Sequence, residues 1–194
     1  MIASQTLSPT LIARDGSLLR KALIIVGGSL ALWASAKVQV PFFPVPITMQ
    51  TLVVLGFAMA AGRNLALATV GLYLIEGALG LPVFAGTPEK GIGLAYMVGP
   101  TGGYLLGMFL AAGILGHLGE RGWDRKALTT AAAMVIGNLA IYACGLAWLG
   151  SYLGYGETLV QAGLLPFVPG DLFKIVLAAF MLPGAWKLLS AFRA

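Results

Sequence analysis

Residues 165–174 of the chain read LPFVPGDLFK and lead from a proline-rich loop into an apolar helix near the C-terminal end. The first turns of that helix carry an acid, Asp171, and a base, Lys174, ahead of a long run of hydrocarbon side chains. An ionisable side chain at membrane depth is costly, and by default it marks a functional site with a partner nearby. The stretch therefore predicts a membrane helix with a polar site at its entrance.

The composition extends the membrane assignment to the whole chain. Of its 194 residues, 59% are hydrophobic and 10% are charged, whereas a soluble domain has about 25% charged residues. The mean hydropathy is +0.91. Each crossing of a hydrocarbon core needs about 20 residues, so residues 1–194 fit one all-α integral membrane domain and leave no room for a second.

Apolar runs and the loop signals between them predict a polytopic bundle of six transmembrane helices. Prolines in the loop at residues 41–46 end the first helix. The long, glycine-rich connection at residues 80–101 is a candidate lid. Residues 1–19 are expected to form a cytosolic tail. The predicted helices cover approximately residues 22–38, 48–61, 65–79, 102–117, 127–149 and 170–192.

Positive charge is distributed unevenly between the two predicted sides of the membrane. Short cytoplasmic loops accumulate Lys and Arg, and one side holds all but three of the 12 basic residues, the exceptions being Lys37, Lys90 and Lys174. This bias predicts a multi-pass protein of the cell (inner) membrane with both termini cytoplasmic. It also explains the net charge of +5 without a nucleic-acid partner. The residues on the basic side are Arg14, Arg20, Lys21, Arg63, Arg121, Arg125, Lys126, Lys187 and Arg193.

The two charged residues of the last helix admit two interpretations. Asp171 and Lys174 are three positions apart, so they share a helix face. They either form an ion pair that neutralises itself and seats the helix, or they reach into a cavity. The interpretations are compatible, because a ligand can bridge the pair.

Polar residues of other predicted helices can complete such a site. Asn138 lies mid-helix, and its amide must either bond a neighbouring helix or face a polar cavity. Thr48 and Gln50 open the second helix at the level of Asp171, where Thr48 can instead serve as a helix cap. Tyr104 opens the fourth helix with an aromatic face and a hydroxyl. Glu76, at the outer end of the third helix, is expected to face a loop or snorkel.

Several classes of chemistry have no support in the sequence. There is no glycine-rich phosphate loop, so ATP hydrolysis cannot be assigned to this chain. The single cysteine, Cys144, and the single histidine, His117, cannot form a zinc cluster, and no nucleophile and base pattern is present. The sequence predicts a protein that is not an enzyme, with no catalytic residues, metal site or cofactor.

Small residues at four-residue spacing mark one face of the first helix. They are Gly27, Ala31 and Ser35. Small residues permit close helix approach in lipid. The stripe either packs inside the bundle or docks another membrane subunit.

Four motifs occur in order along the chain and together resemble the BioY family, the biotin-specific substrate-binding subunits of energy-coupling-factor transporters. The motifs are PVPITMQT at residues 44–51, GLPVFAG at 80–86, GPTGGY at 99–104 and PGDLFK at 169–174. The resemblance implies a six-helix fold, known as the S-component fold, that binds biotin from outside. It also implies a partner module of one membrane coupling subunit and two ATPases, which fits the missing phosphate loop.

The resemblance also implies roles for individual residues. Asp171 is expected to accept N–H groups of the biotin ureido ring, with Asn138 contacting the same ring. Lys174 is expected to bond either the ureido oxygen or the biotin carboxylate. The pocket lining is expected to include Thr48, Gln50 and Tyr104, and the docking stripe for the coupling subunit to be Gly27, Ala31 and Ser35.

Two other functions remain open at this point. One is a self-sufficient secondary transporter in which Asp171 carries a proton. The other is a structural membrane protein whose charged pair only seats a helix. Calorimetric titration with biotin and proton-dependent uptake in liposomes discriminate these from vitamin capture.

Overall fold

A computed structural model describes residues 17–191 of the chain. Within this range the chain forms eight α-helices, a two-stranded hairpin and a short 3₁₀ helix at Trp123–Arg125. The strands are β1 (Gln39–Val40) and β2 (Ile47–Thr48). The helices are α1 (Leu18–Lys37), α2 (Gln50–Ala61), α3 (Arg63–Ala78), α4 (Gly93–Met97), α5 (Gly102–Glu120), α6 (Ala127–Leu153), α7 (Glu157–Gly163) and α8 (Val168–Ala191).

The prediction of a mainly helical chain is confirmed, and each predicted helix corresponds to one of α1, α2, α3, α5, α6 and α8. By length and composition, α1, α5, α6 and α8 can cross a membrane. The other two are shorter, with 12 residues in α2 and 16 in α3. Most of the predicted tail, residues 1–16, and the last predicted residue of the sixth helix, 192, lie outside the described residues.

The second helix starts later than predicted, at Gln50 instead of residue 48. Thr48 pairs with Gln39, and Ile47 with Val40, in an antiparallel hairpin. The hairpin forms because the prolines of residues 41–46 hold the backbone extended. Its closing strand therefore uses the residues that would otherwise make the first helical turn.

The reversal between α2 and α3 depends on Gly62. Its φ is 86°, in the left-handed region that side chains disfavour. The turn is so short that the two helices lie against each other and against α5. Glycines then let α5 approach its neighbours, since a Cβ on Gly107 would lie 2.7 Å from Cα of Ile141 on α6.

The hairpin, α4, α7 and the start of α8 gather at one end of the bundle, called here the loop end. The connection predicted as a lid contributes α4 and an irregular segment at residues 79–92. This end holds the charged pair that the sequence singled out.

Candidate functional site

A cavity opens at the loop end of the bundle. Counting the part that opens to solvent, it contains about 540 Å³ of empty space. Its walls come from the hairpin, the segment at residues 79–92, and helices α2, α4, α5, α6 and α8. A ligand here would be surrounded by residues from five of the eight helices found within residues 17–191.

Asp171 and Lys174 lie together in the wall of this cavity. They are only 6% and 5% exposed, and Nζ of Lys174 lies 2.9 Å from Oδ1 of Asp171. A buried charge is tolerated when it is paired and hydrogen-bonded. Both conditions are met, so the pair is electrically neutral as a unit.

Two hydroxyl groups from other helices complete the network. Thr51 of α2 donates to Oδ1 of Asp171 at 3.1 Å and accepts a bond of 2.8 Å from Lys174. Tyr142 of α6 donates to Oδ2 of Asp171. Three helices, α2, α6 and α8, are thus joined at one carboxylate.

The start of α8 favours a carboxylate at this position. Asp171 lies in the first turn of the helix, where the partial positive charge of the helix N-terminus stabilises an anion. Pro169, one residue into the helix, is compatible with a first turn because its missing N–H needs no partner there. The LPFVPGD stretch therefore places the acid by local helix chemistry.

The network leaves hydrogen-bonding capacity for a ligand. A carboxylate offers about four acceptor sites and an ammonium three donors. Within residues 17–191, Asp171 accepts three side-chain hydrogen bonds and Lys174 donates two. The pair can therefore offer one further acceptor and one further donor, side by side, to a polar group in the cavity.

The other predicted lining residues reach the cavity with their polar atoms partly engaged. Thr48, Gln50 and Tyr104 all line it. The amide of Gln50 donates to the hydroxyl of Tyr73 at 2.8 Å. The hydroxyl of Tyr104 donates to the carbonyl of Gly163 at 2.7 Å, so this residue presents its ring to the cavity.

The cavity also has an apolar wall. The rings of Tyr104 and Phe167 lie 6.1 Å apart and are tilted, and Leu105, Met108 and Ile141 continue this surface. Tyr96 of α4 lies at the edge, and burial raises the pKa of its hydroxyl above the usual range. That hydroxyl donates to the carbonyl of Ala85 at 2.8 Å.

Asn138 is the predicted site residue that the structure places outside the cavity lining. It lies one helical turn deeper along α6 than Tyr142, on the same face, and is 6% exposed. Its Oδ1 has no hydrogen-bond partner among residues 17–191. The side chain lies deeper in the bundle than predicted because the cavity reaches only as far as Ile141 and Tyr142 on this helix.

Two members of the network, Thr51 and Tyr142, were not predicted from the sequence. A signal existed for each of them. Tyr142 follows Asn138 by four positions, so the two share a face of α6, and Thr51 is the third polar residue in the TMQT stretch. Neither pattern shows that the partner is Asp171, because that depends on how three helices are rotated.

Glu76 is placed differently from the prediction of a loop-facing or snorkelling side chain. Its Oε2 accepts a hydrogen bond from the hydroxyl of Ser29 on α1, and Ser29 is fully buried. The carboxylate joins α1 to α3 because the buried hydroxyl offers it a donor at the interface between the helices.

The small-residue stripe of α1 divides between two faces. Gly27 and Ala31 are exposed, and no atom of the described residues lies within 4 Å of a Cβ built on Gly27. Ser35 is 6% exposed and donates to the carbonyl of Leu32. Eight residues turn an α-helix about 80° beyond two full turns, which carries Ser35 inward and leaves Ala34 on the exposed face.

Known proteins that are similar in sequence to this chain belong to one family. The model of the BioY family matches residues 5–191. The chain is 38% identical over 160 residues to the biotin transporter BioY of Thermotoga maritima, covering 82% of this chain and 87% of that protein. It is 35% identical over 158 residues to the biotin transporter BioY of Rhizobium etli, covering 78% and 83%.

A solved structure shares the fold. It is the S-component for biotin from an ECF-type ABC transporter, and its TM-score with this chain is 0.75. The superposition covers 90% of this chain and 95% of that structure at 19% sequence identity.

Proposed function

The chain belongs to the BioY family, and we propose that it is the biotin-binding membrane subunit of a vitamin uptake transporter and not an enzyme. The observation that carries this proposal is the cavity at the loop end, whose wall contains the buried, hydrogen-bonded Asp171–Lys174 pair. The cavity combines a large apolar surface with a few convergent polar groups, as small-molecule sites generally do.

The chemistry of biotin matches this arrangement. Its ureido ring presents N–H donors beside a carbonyl acceptor, which suits the free acceptor of Asp171. The remaining donor of Lys174 serves either the ureido oxygen or the biotin carboxylate. The sulfur-containing ring and the aliphatic chain suit the surface formed by Tyr104 and Phe167, and Thr48 and Gln50 line the same space. In this proposal Asn138 supports the floor of the site from below.

We infer that the bundle spans the cell (inner) membrane six times with both termini cytoplasmic. The distribution of Lys and Arg supports this orientation. At 1.5 Å per residue, the 12 residues of α2 reach about 18 Å, short of a hydrocarbon core of about 30 Å. The β1–β2 hairpin continues α2 toward the loop end and completes that crossing. The loop end then faces outward, where biotin arrives.

A coupling module is the proposed partner. The chain has no phosphate loop of its own, so a membrane coupling subunit with two ATPases would supply the energy. The exposed face of α1 that contains Gly27, Ala31 and Ala34 fits the docking of another membrane helix, because small side chains allow close approach. Ser35 does not contribute to that face.

Biotin binding is the direct test of the proposed function. The detergent-solubilised chain is expected to bind biotin at submicromolar concentration in calorimetric titration. Two competitors are used for comparison: desthiobiotin, which lacks the sulfur-containing ring, and lipoic acid, which lacks the ureido group. Absence of heat at micromolar biotin would overturn the proposal. Proton-coupled uptake by the chain alone in liposomes would instead favour a secondary transporter.

Docking on α1 is tested by enlarging one small residue. Gly27→Leu is expected to leave biotin affinity unchanged and to reduce co-purification of the coupling subunit by about tenfold, since a clash in a close helix contact costs about 1–3 kcal/mol. Gly184→Leu on α8 is a matched control, because a Cβ there also meets no atom of residues 17–191 within 4 Å. Equal recovery of the complex with both variants would place the docking face elsewhere.

A further inference from the structure

Three successive backbone carbonyls above the cavity are each held by a different helix. They belong to residues 83–87, called here the roof segment, in which Ala85 lines the cavity. The bonds run from the hydroxyl of Tyr73 on α3 to the carbonyl of Val83 at 3.0 Å, from Nζ of Lys37 on α1 to that of Phe84 at 3.0 Å, and from the hydroxyl of Tyr96 on α4 to that of Ala85 at 2.8 Å.

Lys37 makes the most extensive of these attachments. Besides the carbonyl of Phe84, its ammonium donates to the carbonyl of Thr87 at 3.2 Å and to the hydroxyl of Thr87 at 3.0 Å. A lysine ammonium has three donors, and all three go to the roof segment. Hydrogen bonds from a charged donor are stronger than neutral ones. Lys37 also lies in the last turn of α1, where the helix dipole favours a cation.

The roof segment depends on such attachments because it has no regular structure of its own. Residues 79–92 contain neither helix nor strand, and Gly86 adopts a φ of 72°. The ring of Phe84, which is 1% exposed, packs against Tyr73 at 5.4 Å and Tyr96 at 4.9 Å between centroids. The segment is thus an ordered cover whose position is set by side chains from other elements.

The cavity wall is connected to the same segment. Gln50 lines the cavity and donates to the hydroxyl of Tyr73, which in turn donates to the carbonyl of Val83. The roof therefore borders the ligand space at Ala85, is linked to Gln50 through the hydroxyl of Tyr73, and is attached to α1 through Lys37. Lys37 follows Ala34, on the exposed face of α1, by three positions.

We propose that Lys37 is a positioning residue that fixes the roof of the biotin cavity to α1, so that the rate of biotin release depends on this lysine. This inference rests on the proposed function. Lys37 does not line the cavity, and it acts through the carbonyls of Phe84 and Thr87. A displacement of the end of α1 would pull directly on the cover of the site, which links the proposed docking helix to ligand release.

The first test is the dissociation of radiolabelled biotin from the purified full chain. Lys37→Met keeps the apolar stem but removes all three donors, and it is expected to raise the dissociation rate by about tenfold, the effect of losing a charge-assisted bond. The association rate should stay within about twofold of wild type, since the ligand contacts remain. Lys21→Met, at an exposed position near the start of the same helix, is the matched control and should change neither rate.

A second test needs no biotin. Lys90 is exposed and lies just beyond the roof segment, so trypsin cleavage after Lys90 reports its opening. In Lys37→Met this cleavage should accelerate, whereas in Lys21→Met it should not. If Lys37→Met fails to fold, Thr87→Val removes one acceptor of the same clamp, together with the bond of 2.6 Å that the Thr87 hydroxyl donates to the carbonyl of Phe84, and should shift both measurements in the same direction.

The outcomes separate this inference from the proposed function. Both the faster release and the faster cleavage are required, and a change in only one of them, or in neither, would overturn the role of Lys37. If the wild-type chain binds no biotin, the proposed function fails, whereas the cleavage experiment still reports whether Lys37 holds the roof segment.

Discussion

The double variant Asp171→Asn/Lys174→Met is expected to fold about as stably as the wild type and to bind biotin at least about 100-fold more weakly. Replacing both members of a buried ion pair by neutral groups of similar size is often neutral for stability. Binding is different, because the ligand loses the donor of Lys174 and meets a neutral amide in place of the carboxylate of Asp171, and each unpaired polar group costs about 1–3 kcal/mol. Thermal unfolding and biotin titration of the same preparation measure the two effects.

The single variants show which role the pair plays in the fold. Lys174→Met alone leaves the buried carboxylate with Thr51 and Tyr142 as its donors among the described residues, and breaking one side of a buried pair typically costs about 3–5 kcal/mol. Both single variants should therefore be less stable than the double variant. If the double variant binds biotin with wild-type affinity, the Asp171–Lys174 pair does not contact the ligand, and its role is to stabilise the packing of α8 in the bundle.

The sequence predicted this part of the site because the information was local. Asp171 and Lys174 share a helix face by their spacing, and their burial follows from the apolar helix around them. Thr51 was not identified as their partner because its side chain meets theirs only after α2 and α8 are packed together. Hydrogen bonds between helices depend on axial rotation and depth, which a single-helix pattern does not contain.

The dependence on helix rotation and depth also explains why some residues lie at positions other than those predicted from the sequence. Asn138 was correctly predicted to be a buried amide, but its depth relative to the cavity depends on where the loop end closes. Ser35 continued the four-residue spacing of Gly27 and Ala31, yet the 3.6-residue period turns it inward. The start of α2 moved to Gln50 because strand pairing across the proline loop outweighed local helix preference.

The second large effect on biotin binding is expected from substituting Gly145 of α6. A Cβ on Gly145 would lie 2.4 Å from two ring carbons of Tyr104, a distance at which the ring must move. The ring cannot retreat freely, because its hydroxyl donates a hydrogen bond of 2.7 Å to the carbonyl of Gly163. Gly145→Ala therefore shifts an aromatic wall of the cavity.

Gly145→Ala is expected to weaken biotin binding by about 100-fold, because overpacking costs about 1–3 kcal/mol and the displaced ring disturbs the surface that receives the apolar part of the ligand. Titration of the variant measures the loss. Gly71→Ala in α3 is the control, since its Cβ would meet only Phe109 at an ordinary 3.7 Å and alanine favours helix over glycine. Wild-type affinity in Gly145→Ala would show that the ring of Tyr104 is not a wall of the binding site, and biotin would then have to contact the opposite side of the cavity, nearer the hairpin.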